Sequence, residues 1–248
     1  MSLFEFAFCY NFDQKISQLA VLCPEKWSFG AGQDNSILKN YILHTFLKIE
    51  GEKKIYIDDN NNYALFNTGL YTALYEAIYG YFVPNTIPNK QFWFFDNFYT
   101  SYQLGMMNVA SYPLRANYFS TPEDLIFNTN YEIVPQVEHI FGSRDNLLRM
   151  PASIRNSPSR NILFDGAVKR AKHMIDANYK TAVPQYYKGK IQLLIPMCLV
   201  NENKPDLALV VSKAVAGNHY LGHTCLSLDM AYNNARLIAR PDSAWLTP

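Results

Sequence analysis

At 248 residues the chain is close to the largest size that one hydrophobic core supports, and its 49% hydrophobic and 17% charged residues are typical of globular proteins. This composition excludes long disordered tracts, because enough apolar surface is available to offset the conformational entropy lost on folding. One large domain and two closely packed lobes, 1–143 and 144–248, both fit this length. We favour a single domain over residues 1–248.

The four cysteines are widely spread and lack C-x-x-C spacing, which argues against a disulfide framework and a zinc knuckle. No apolar run approaches the roughly 20 residues that a membrane span needs. The first ten residues lack the basic segment and apolar stretch of an export signal. We therefore expect a cytoplasmic protein with reduced thiols, no membrane partner and no cofactor.

In chain order, the first elements are two helices and a group of short strands. Apolar periodicity predicts a helix from Phe12 to Ala20, ended by Pro24, and a second from about Ser36 to Ile49. Asp34 or Asn35 is the expected cap of the second helix, and Gly51 its end. Aromatic and β-branched runs then predict an antiparallel meander with its first turn at Asp59–Asn62. The predicted strands are Lys54–Asp58, Tyr63–Leu70, Ile78–Val83 and Gln91–Phe95.

The second half begins irregularly, with short helical pieces expected after Thr121-Pro122 and around Val137–Phe141. Apolar residues from Phe164 to Tyr179 predict an amphipathic helix. Four strands with short turns should then pair antiparallel in order, and a helix from about Asp229 to Ala239 closes the chain. The predicted fold class is α+β, a single domain with antiparallel meander sheets flanked by amphipathic helices. The four strands are Tyr179–Tyr187, Ile191–Val200, Leu207–Ala214 and His219–Leu228.

The net charge of +1 conceals a local basic segment. Residues 1–143 carry 8 Lys and Arg against 14 Asp and Glu, whereas residues 144–190 carry 10 against 3, a net charge of +7. Lys169 and Lys172 lie on the outer face of the predicted amphipathic helix, and Lys188 follows in a turn. A phosphate-binding surface needs only such a local patch. A solvated helix and loop explains the same charges.

The segment from Asn178 to Tyr187 combines aromatic and cationic residues. Pro184 cannot donate a hydrogen bond to a neighbouring strand, so we expect an edge or bulged strand. Tyr186 and Tyr187 can stack on bases beside Lys180 and Lys188, and Gln192 follows on the next strand. The alternative is an edge strand whose tyrosines pack on their neighbours.

The predicted last helix places an acid, an amide and two guanidinium groups on one face, at Asp229, Asn233, Arg236 and Arg240. Arginine suits phosphate recognition, and asparagine can hydrogen-bond a base. The same spacing also describes a solvated polar stripe with Asp229 as a helix cap.

Metal and known catalytic signatures are weak or missing. His219, His223, Cys225 and Asp229 share one strand parity, but residues four apart on a strand are about 13 Å apart, too far to share one ion. We therefore predict no metal site. A dinucleotide fingerprint starts at Gly30 but has Asn35 in place of its third glycine, and no Walker A, H-E-x-x-H or G-x-S-x-G motif occurs.

Several ordered motifs together resemble one family over nearly the whole chain. The chain is similar to the OST-HTH-associated domain, a bacterial and fungal domain of unknown function. The resemblance implies RNA binding or RNA processing in the company of OST-HTH (LOTUS) modules, and it carries over no catalytic residue. We expect the chain to act alone or with an OST-HTH/LOTUS-containing protein in trans. The motifs are Glu25–Ser28, Leu38–Tyr41, Thr45-Phe46, Phe66–Leu70, Pro122–Phe127, Asn178–Tyr187, Ile191–Leu199, Asp206–Val211, Leu228–Ile238, Arg240–Asp242 and Trp245-Leu246.

Three functions fit the sequence. The first is an RNA-binding or RNA-metabolism module that recognises single-stranded RNA or nucleotides through a basic, aromatic-rich surface. The second is an enzyme on RNA ends or nucleotides, with Lys180, Tyr186 or Asp229 as candidate catalytic residues. The third is a protein-interaction scaffold. The expected binding residues are Lys169, Lys172, Lys180, Tyr186, Tyr187, Lys188, Gln192, Asn233, Arg236 and Arg240.

Overall fold

The computed structural model describes residues 1–30 and 34–248, so the fingerprint-like loop that starts at Gly30 lies partly outside the described residues. The described residues form two five-stranded, mostly antiparallel sheets with helices, which confirms the predicted α+β class. The chain divides into two compact units, Met1–Asn117 and Tyr118–Pro248, each with its own sheet. Among the described helices, none has the length and apolar character of a membrane span.

The first unit contains a sheet with strand order β1-β5-β4-β3-β2. Strands β2 to β5 form the predicted antiparallel meander, while β1 adds to β5 in parallel. Because β1 is only two residues long and its partner is far away in sequence, no local pattern predicted it. The elements are α1 (Leu3–Phe6), β1 (Ala7–Phe8), α2 (Phe12–Leu22), α3 (Ser36–Gly51), β2 (Tyr56–Ile57), β3 (Ala64–Tyr71), β4 (Ala77–Pro84), β5 (Trp93–Thr100) and α4 (Ser101–Met106).

Both predicted N-terminal helices are present, and α3 buries the predicted apolar stripe. Asn35 occupies the N-cap position of α3, but its backbone is left-handed and its side chain makes no capping hydrogen bond. A capping box that the sequence analysis missed starts α1, where Ser2 Oγ accepts from Glu5 N and Glu5 Oε2 accepts from Ser2 N.

Aromatic residues form a cluster in the core of the first unit. Phe46 of α3 makes edge-to-face contacts with Phe66 and Phe82, and Phe82 makes another with Phe95. These four rings are fully buried. Part of the aromatic-rich composition therefore builds this core, where aromatic pairs add to the free energy of burial.

The motif Phe66–Leu70 shapes the β3 strand. Asn67 Oδ1 accepts from Gly69 N at 2.9 Å, and Asn67 Nδ2 donates to Pro113 O at 3.1 Å. Gly69 has a φ of 72°, a left-handed conformation that favours glycine. The register shifts between Asn67 and Tyr71, so this polar motif forms an irregularity in the strand.

The second unit contains a sheet with strand order β6-β10-β9-β8-β7. Its last four strands pair antiparallel in chain order as predicted, and β7 is an edge strand. The sequence analysis missed β6, which pairs with β10 in parallel. The elements are a 3₁₀ turn (Pro122–Leu125), β6 (Glu132–Pro135), α5 (Val137–Gly142), α6 (Arg144–Arg149), α7 (Ala152–Arg155), α8 (Arg160–Ala177), a 3₁₀ turn (Tyr179–Thr181), β7 (Val183–Tyr187), β8 (Lys190–Met197), β9 (Leu207–Lys213), β10 (His219–Leu226) and α9 (Leu228–Arg236).

Helix α8 covers one face of the second sheet. Its residues Phe164, Ala171 and Ile175 are buried in a core with Leu193 and Leu209 of the strands. Residues 118–143 belong to this unit, because β6 and α5 pack on β10. The boundary between the compact units therefore lies at 117/118, whereas the two-lobe alternative divides the chain at 143/144. The single-domain organisation stays a prediction.

Candidate functional site

A largely apolar groove lies between the start of β7 and the end of α9. We call it the β7–α9 groove, and its volume is about 220 Å³. Its apolar lining comes from both elements and from the segment 125–126, and Tyr179 at its border is 62% exposed. Concave apolar surfaces with a few polar groups are the usual form of ligand sites. The lining includes Ile126, Tyr179, Ala182, Val183, Pro184, Ala235 and Ile238.

Charged side chains stand at this groove. Lys180 Nζ donates to Asp242 Oδ2 at 2.6 Å, and Arg240 also lines the groove. The hydrogen bond and charge of Lys180 lower the pKa of Asp242, with a further contribution from the charge of Arg240. The hydrogen bond and charge of Asp242 in turn raise the pKa of Lys180. The groove thus combines two cations and one carboxylate with an apolar floor.

The chain after α9 is anchored beside the groove. Trp245 Nε1 donates to Thr181 O at 2.9 Å, and the Leu246 side chain is fully buried. These contacts hold the C-terminal segment against the 3₁₀ turn that carries Lys180. The position of Asp242 therefore depends on the fold rather than on the Lys180 ion pair alone.

The two predicted stacking tyrosines lie on opposite faces of β7, because adjacent strand residues alternate. Tyr186 packs edge-to-face against Tyr118, with ring centroids 4.9 Å apart. Tyr187 is 49% exposed, and Lys188 Nζ lies 5.3 Å from its ring centroid. Tyr187 with Lys188 thus presents an aromatic face and a charge to solvent, while Tyr186 contributes to packing.

A chain of amide side chains joins β8, β7 and α9. Gln185 is 1% exposed; its Nε2 donates to Gln192 Oε1, and its Oε1 accepts from Asn234 Nδ2, both at 3.1 Å. Gln185 and Gln192 are direct cross-strand partners. The predicted binding residue Gln192 therefore belongs to a network that joins the helix to the sheet. Asn234 was not predicted as a member, since the partner strand is distant in sequence.

The predicted polar face of the last helix is divided by the fold. Helix α9 ends at Arg236, which is 5% exposed, so Arg240 lies beyond the helix and in the groove. Asn233 Nδ2 donates to Asp229 O at 2.9 Å, one turn earlier. Asp229 is exposed near the start of α9. In the part of the chain that the structure describes, Arg240 is the member of this predicted polar face that lines the β7–α9 groove.

Lys169 and Lys172 lie in a different groove, between α8 and β6. Acidic residues line it as well, namely Glu132, Asp165 and Asp176. Lys172 Nζ donates to Thr129 O at 2.7 Å and to Asp176 Oδ1 at 3.2 Å. The basic segment is therefore distributed over separate surfaces, and carboxylates offset part of its charge here.

The weak metal pattern assumed that His219, His223 and Cys225 project from one face of a regular strand. A β-bulge in β10 breaks this regularity. The register shifts between Gly222 and Thr224, so His223 is the extra residue and Cys225 pairs with Leu209 of the core. Ser212 Oγ and His223 Nε2 lie 2.5 Å apart. Burial raises the pKa of Cys225 to about 12. Among the described residues, no cluster of histidine, cysteine and acidic side chains is arranged to hold a metal ion.

We expect His223 to make the stability of the protein pH-dependent. Burial lowers its pKa below the ordinary value of about 6.5, and the charge of His139 adds to this effect. At a pH between the two pKa values, the unfolded chain binds a proton at His223 that the folded protein does not bind. The free energy of unfolding should therefore decrease as the pH falls through the ordinary pKa of histidine. Urea unfolding at a series of pH values between pH 8 and pH 5 would measure this decrease in the free energy of unfolding.

The matched variants are His223→Asn and His173→Asn, the latter at an exposed position of α8. His223→Asn should flatten the dependence, while His173→Asn should retain it. An unchanged slope in His223→Asn would assign the effect to another group.

Two residues of the groove, Tyr179 and Asp242, were not among the predicted binding residues. Tyr179 was assigned to the amphipathic helix and the following strand, but it starts a 3₁₀ turn. Asp242 belongs to the motif Arg240–Asp242, one of those that carry the family resemblance. The motif indicated that this residue matters but not which residue it pairs with. The ion pair between Lys180 and Asp242 spans 62 residues, so local spacing did not reveal it.

The fold and the groove define an α+β protein with a small, cation-bearing groove beside the edge strand β7. A family model described as "Domain of unknown function (DUF3825)" matches residues 19–245. Since the match covers most of the chain, the chain belongs to this family. No curated protein and no solved structure matches the chain.

Proposed function

We propose that the protein binds single-stranded RNA or nucleotides, with the β7–α9 groove as the principal contact. The observation that carries the proposal is the meeting of exposed Tyr179 with Lys180 and Arg240 around an apolar floor. An aromatic face stacks on any base, and neighbouring cations bind the phosphate backbone. Tyr187 with Lys188 offers a second aromatic and cationic contact on the same strand edge.

The resemblance to the OST-HTH-associated domain supports this choice of ligand. On the same basis we propose an OST-HTH/LOTUS-containing protein as a partner in trans. A cytoplasmic location completes the proposal, and a reducing compartment agrees with four cysteines that form no disulfide.

The geometry favours binding over catalysis. Of the three candidate catalytic residues, Lys180 lines the groove, Tyr186 packs on Tyr118, and Asp229 is exposed near the start of α9. General acid–base chemistry needs groups that converge on one reacting atom. The three side chains occupy separate surroundings, so an enzyme on RNA ends is the weaker proposal.

The test is fluorescence anisotropy of a labelled single-stranded RNA of about ten nucleotides, a length within the site size of one binding fold. The double variant Lys180→Glu/Arg240→Glu should bind at least about tenfold more weakly, because two phosphate contacts become repulsive. The slope of log affinity against log salt should decrease by about 2, one for each contact.

Two further variants localise the effect. Lys169→Glu/Lys172→Glu makes the same change of charge in the α8–β6 groove. The smaller loss is expected there because three carboxylates, Glu132, Asp165 and Asp176, line that groove. Lys204→Glu changes an exposed loop residue and should bind nearly as the wild type does. Losses in proportion to the number of charges reversed in all three variants would indicate a response to net charge and contradict a groove-specific site. If the wild-type protein binds no RNA, the proposed function is wrong and a protein-interaction scaffold becomes the favoured function.

A further inference from the structure

One carboxylate of the chain lies where the groove's cations would hold a ligand phosphate. Asp242 Oδ2 accepts from Lys180 Nζ at 2.6 Å, and Arg240 lines the same groove. Cationic side chains around one anion form the arrangement that proteins use to bind phosphate groups. We propose that Asp242 occupies the anion position of the β7–α9 groove in the free protein and competes with the phosphate of one bound nucleotide. This inference rests on the proposed function.

The size and lining of the groove indicate the ligand class. Its volume of about 220 Å³ is below the range of about 300–1,000 Å³ that is usual for drug-sized ligands. The floor is apolar, and the exposed ring of Tyr179 stands at its border. A groove of this volume has room for no more than one nucleotide, so the ligand class that we infer is a nucleoside monophosphate or a single nucleotide of a strand.

The ion pair is suited to replacement because it is exposed. The side chains of Lys180 and Asp242 are 49% and 87% exposed, and exposed pairs contribute little to stability. A terminal phosphate carries about −1.5 to −2 charges near neutral pH, more than a carboxylate, so it competes well for the same cations. Since Trp245 and Leu246 anchor the segment independently, Asp242 can release Lys180 without unfolding of the C-terminal segment.

The test compares Asp242→Asn with Asp176→Asn. Both substitutions remove one carboxylate from a Lys–Asp ion pair of the second unit, but Asp176 lies in the α8–β6 groove. Adenosine 5′-monophosphate, inorganic phosphate and adenosine are titrated at constant ionic strength, with the backbone amide signals of residues 179–183, 238–240 and 242–243 as the readout. Asp242→Asn should raise the affinity for the monophosphate about threefold to tenfold, a modest change because the pair is exposed. The affinity for adenosine should stay the same, and Asp176→Asn should behave as the wild type.

The outcomes separate this inference from RNA binding. If the wild type binds RNA and Asp242→Asn binds the monophosphate no more tightly, the competition by Asp242 is disproved while the proposed function stands. If phosphate and the monophosphate perturb the groove more strongly in Asp242→Asn but RNA binds none of the proteins, the anion position stands and RNA binding fails. An equal gain in Asp176→Asn, or no perturbation by either phosphate compound, overturns the inference.

Discussion

Gly80→Ala should destabilise the first unit by about 3 kcal/mol, at the upper end of the usual cost of overpacking. Gly80 lies directly opposite Phe66 in the β3–β4 pair, and a Cβ atom would stand 2.0 Å from Phe66 Cε1. The Phe66 ring is fully buried between Phe46 and Phe82, so it has no free space into which to move. Urea unfolding monitored by the fluorescence of buried Trp93 on β5 would measure the loss.

Gly105→Ala is the matched control in the same unit. The nearest atom to its added Cβ is Tyr112 Oη at 3.8 Å, an ordinary van der Waals contact. This variant in helix α4 should be neutral or slightly stabilising, because alanine favours helix more than glycine does. A Gly80→Ala protein with wild-type stability would show that β3 and β4 can separate enough to accept a methyl group.

Asn146→Ala should destabilise the second unit by about 2–3 kcal/mol, the cost of leaving buried donors without an acceptor. Asn146 is 1% exposed, and its Oδ1 accepts from Thr224 Oγ1 at 2.5 Å, from Arg149 Nη1 at 3.3 Å and from Cys225 N at 3.4 Å. The residue thus joins α6 to β10 just after the bulge at His223. Amide hydrogen exchange of β10 together with urea unfolding would measure the change.

Two variants test this explanation. Asn161→Ala removes an exposed amide from α8 and should change stability by no more than about 0.5 kcal/mol. Asn146→Asp retains an acceptor beside Arg149 and should be less destabilised than Asn146→Ala at neutral pH. The explanation fails if the aspartate variant is the less stable of the two.

The β7–α9 groove and the core around Asn146 belong to the same compact unit but differ in burial. Asn146 is enclosed and fully engaged by hydrogen-bond donors, whereas the Lys180–Asp242 pair is exposed and its partners can be exchanged. Variants of the first kind should change stability, and variants at the groove should change binding with little effect on stability. This separation allows the proposed site to be tested in folded protein.

Local patterns in the sequence determined many of the elements. Helical periodicity located α2, α3 and α8, and alternating runs with short turns located the two antiparallel meanders. Pro184 correctly indicated an edge strand, since proline cannot donate to a second neighbour. The ordered motifs also indicated a domain of unknown function over nearly the whole chain, and the matching family model has that description, while the OST-HTH association stays a prediction. Each of these signals depends on residues close together in the chain or on a match of the whole sequence.

Only the tertiary structure decided which distant residues meet. The short strands β1 and β6 exist because partners far along the chain complete their hydrogen bonds in parallel. The bulge at His223 changed which side chains share a face, and the packing of α9 buried Arg236 while leaving Arg240 in the groove. The pairing of Lys180 with Asp242 likewise required the C-terminal segment to fold back on the 3₁₀ turn before β7. Periodicity records the face of a single element, whereas a site depends on contacts between elements, which the packing of the whole unit determines.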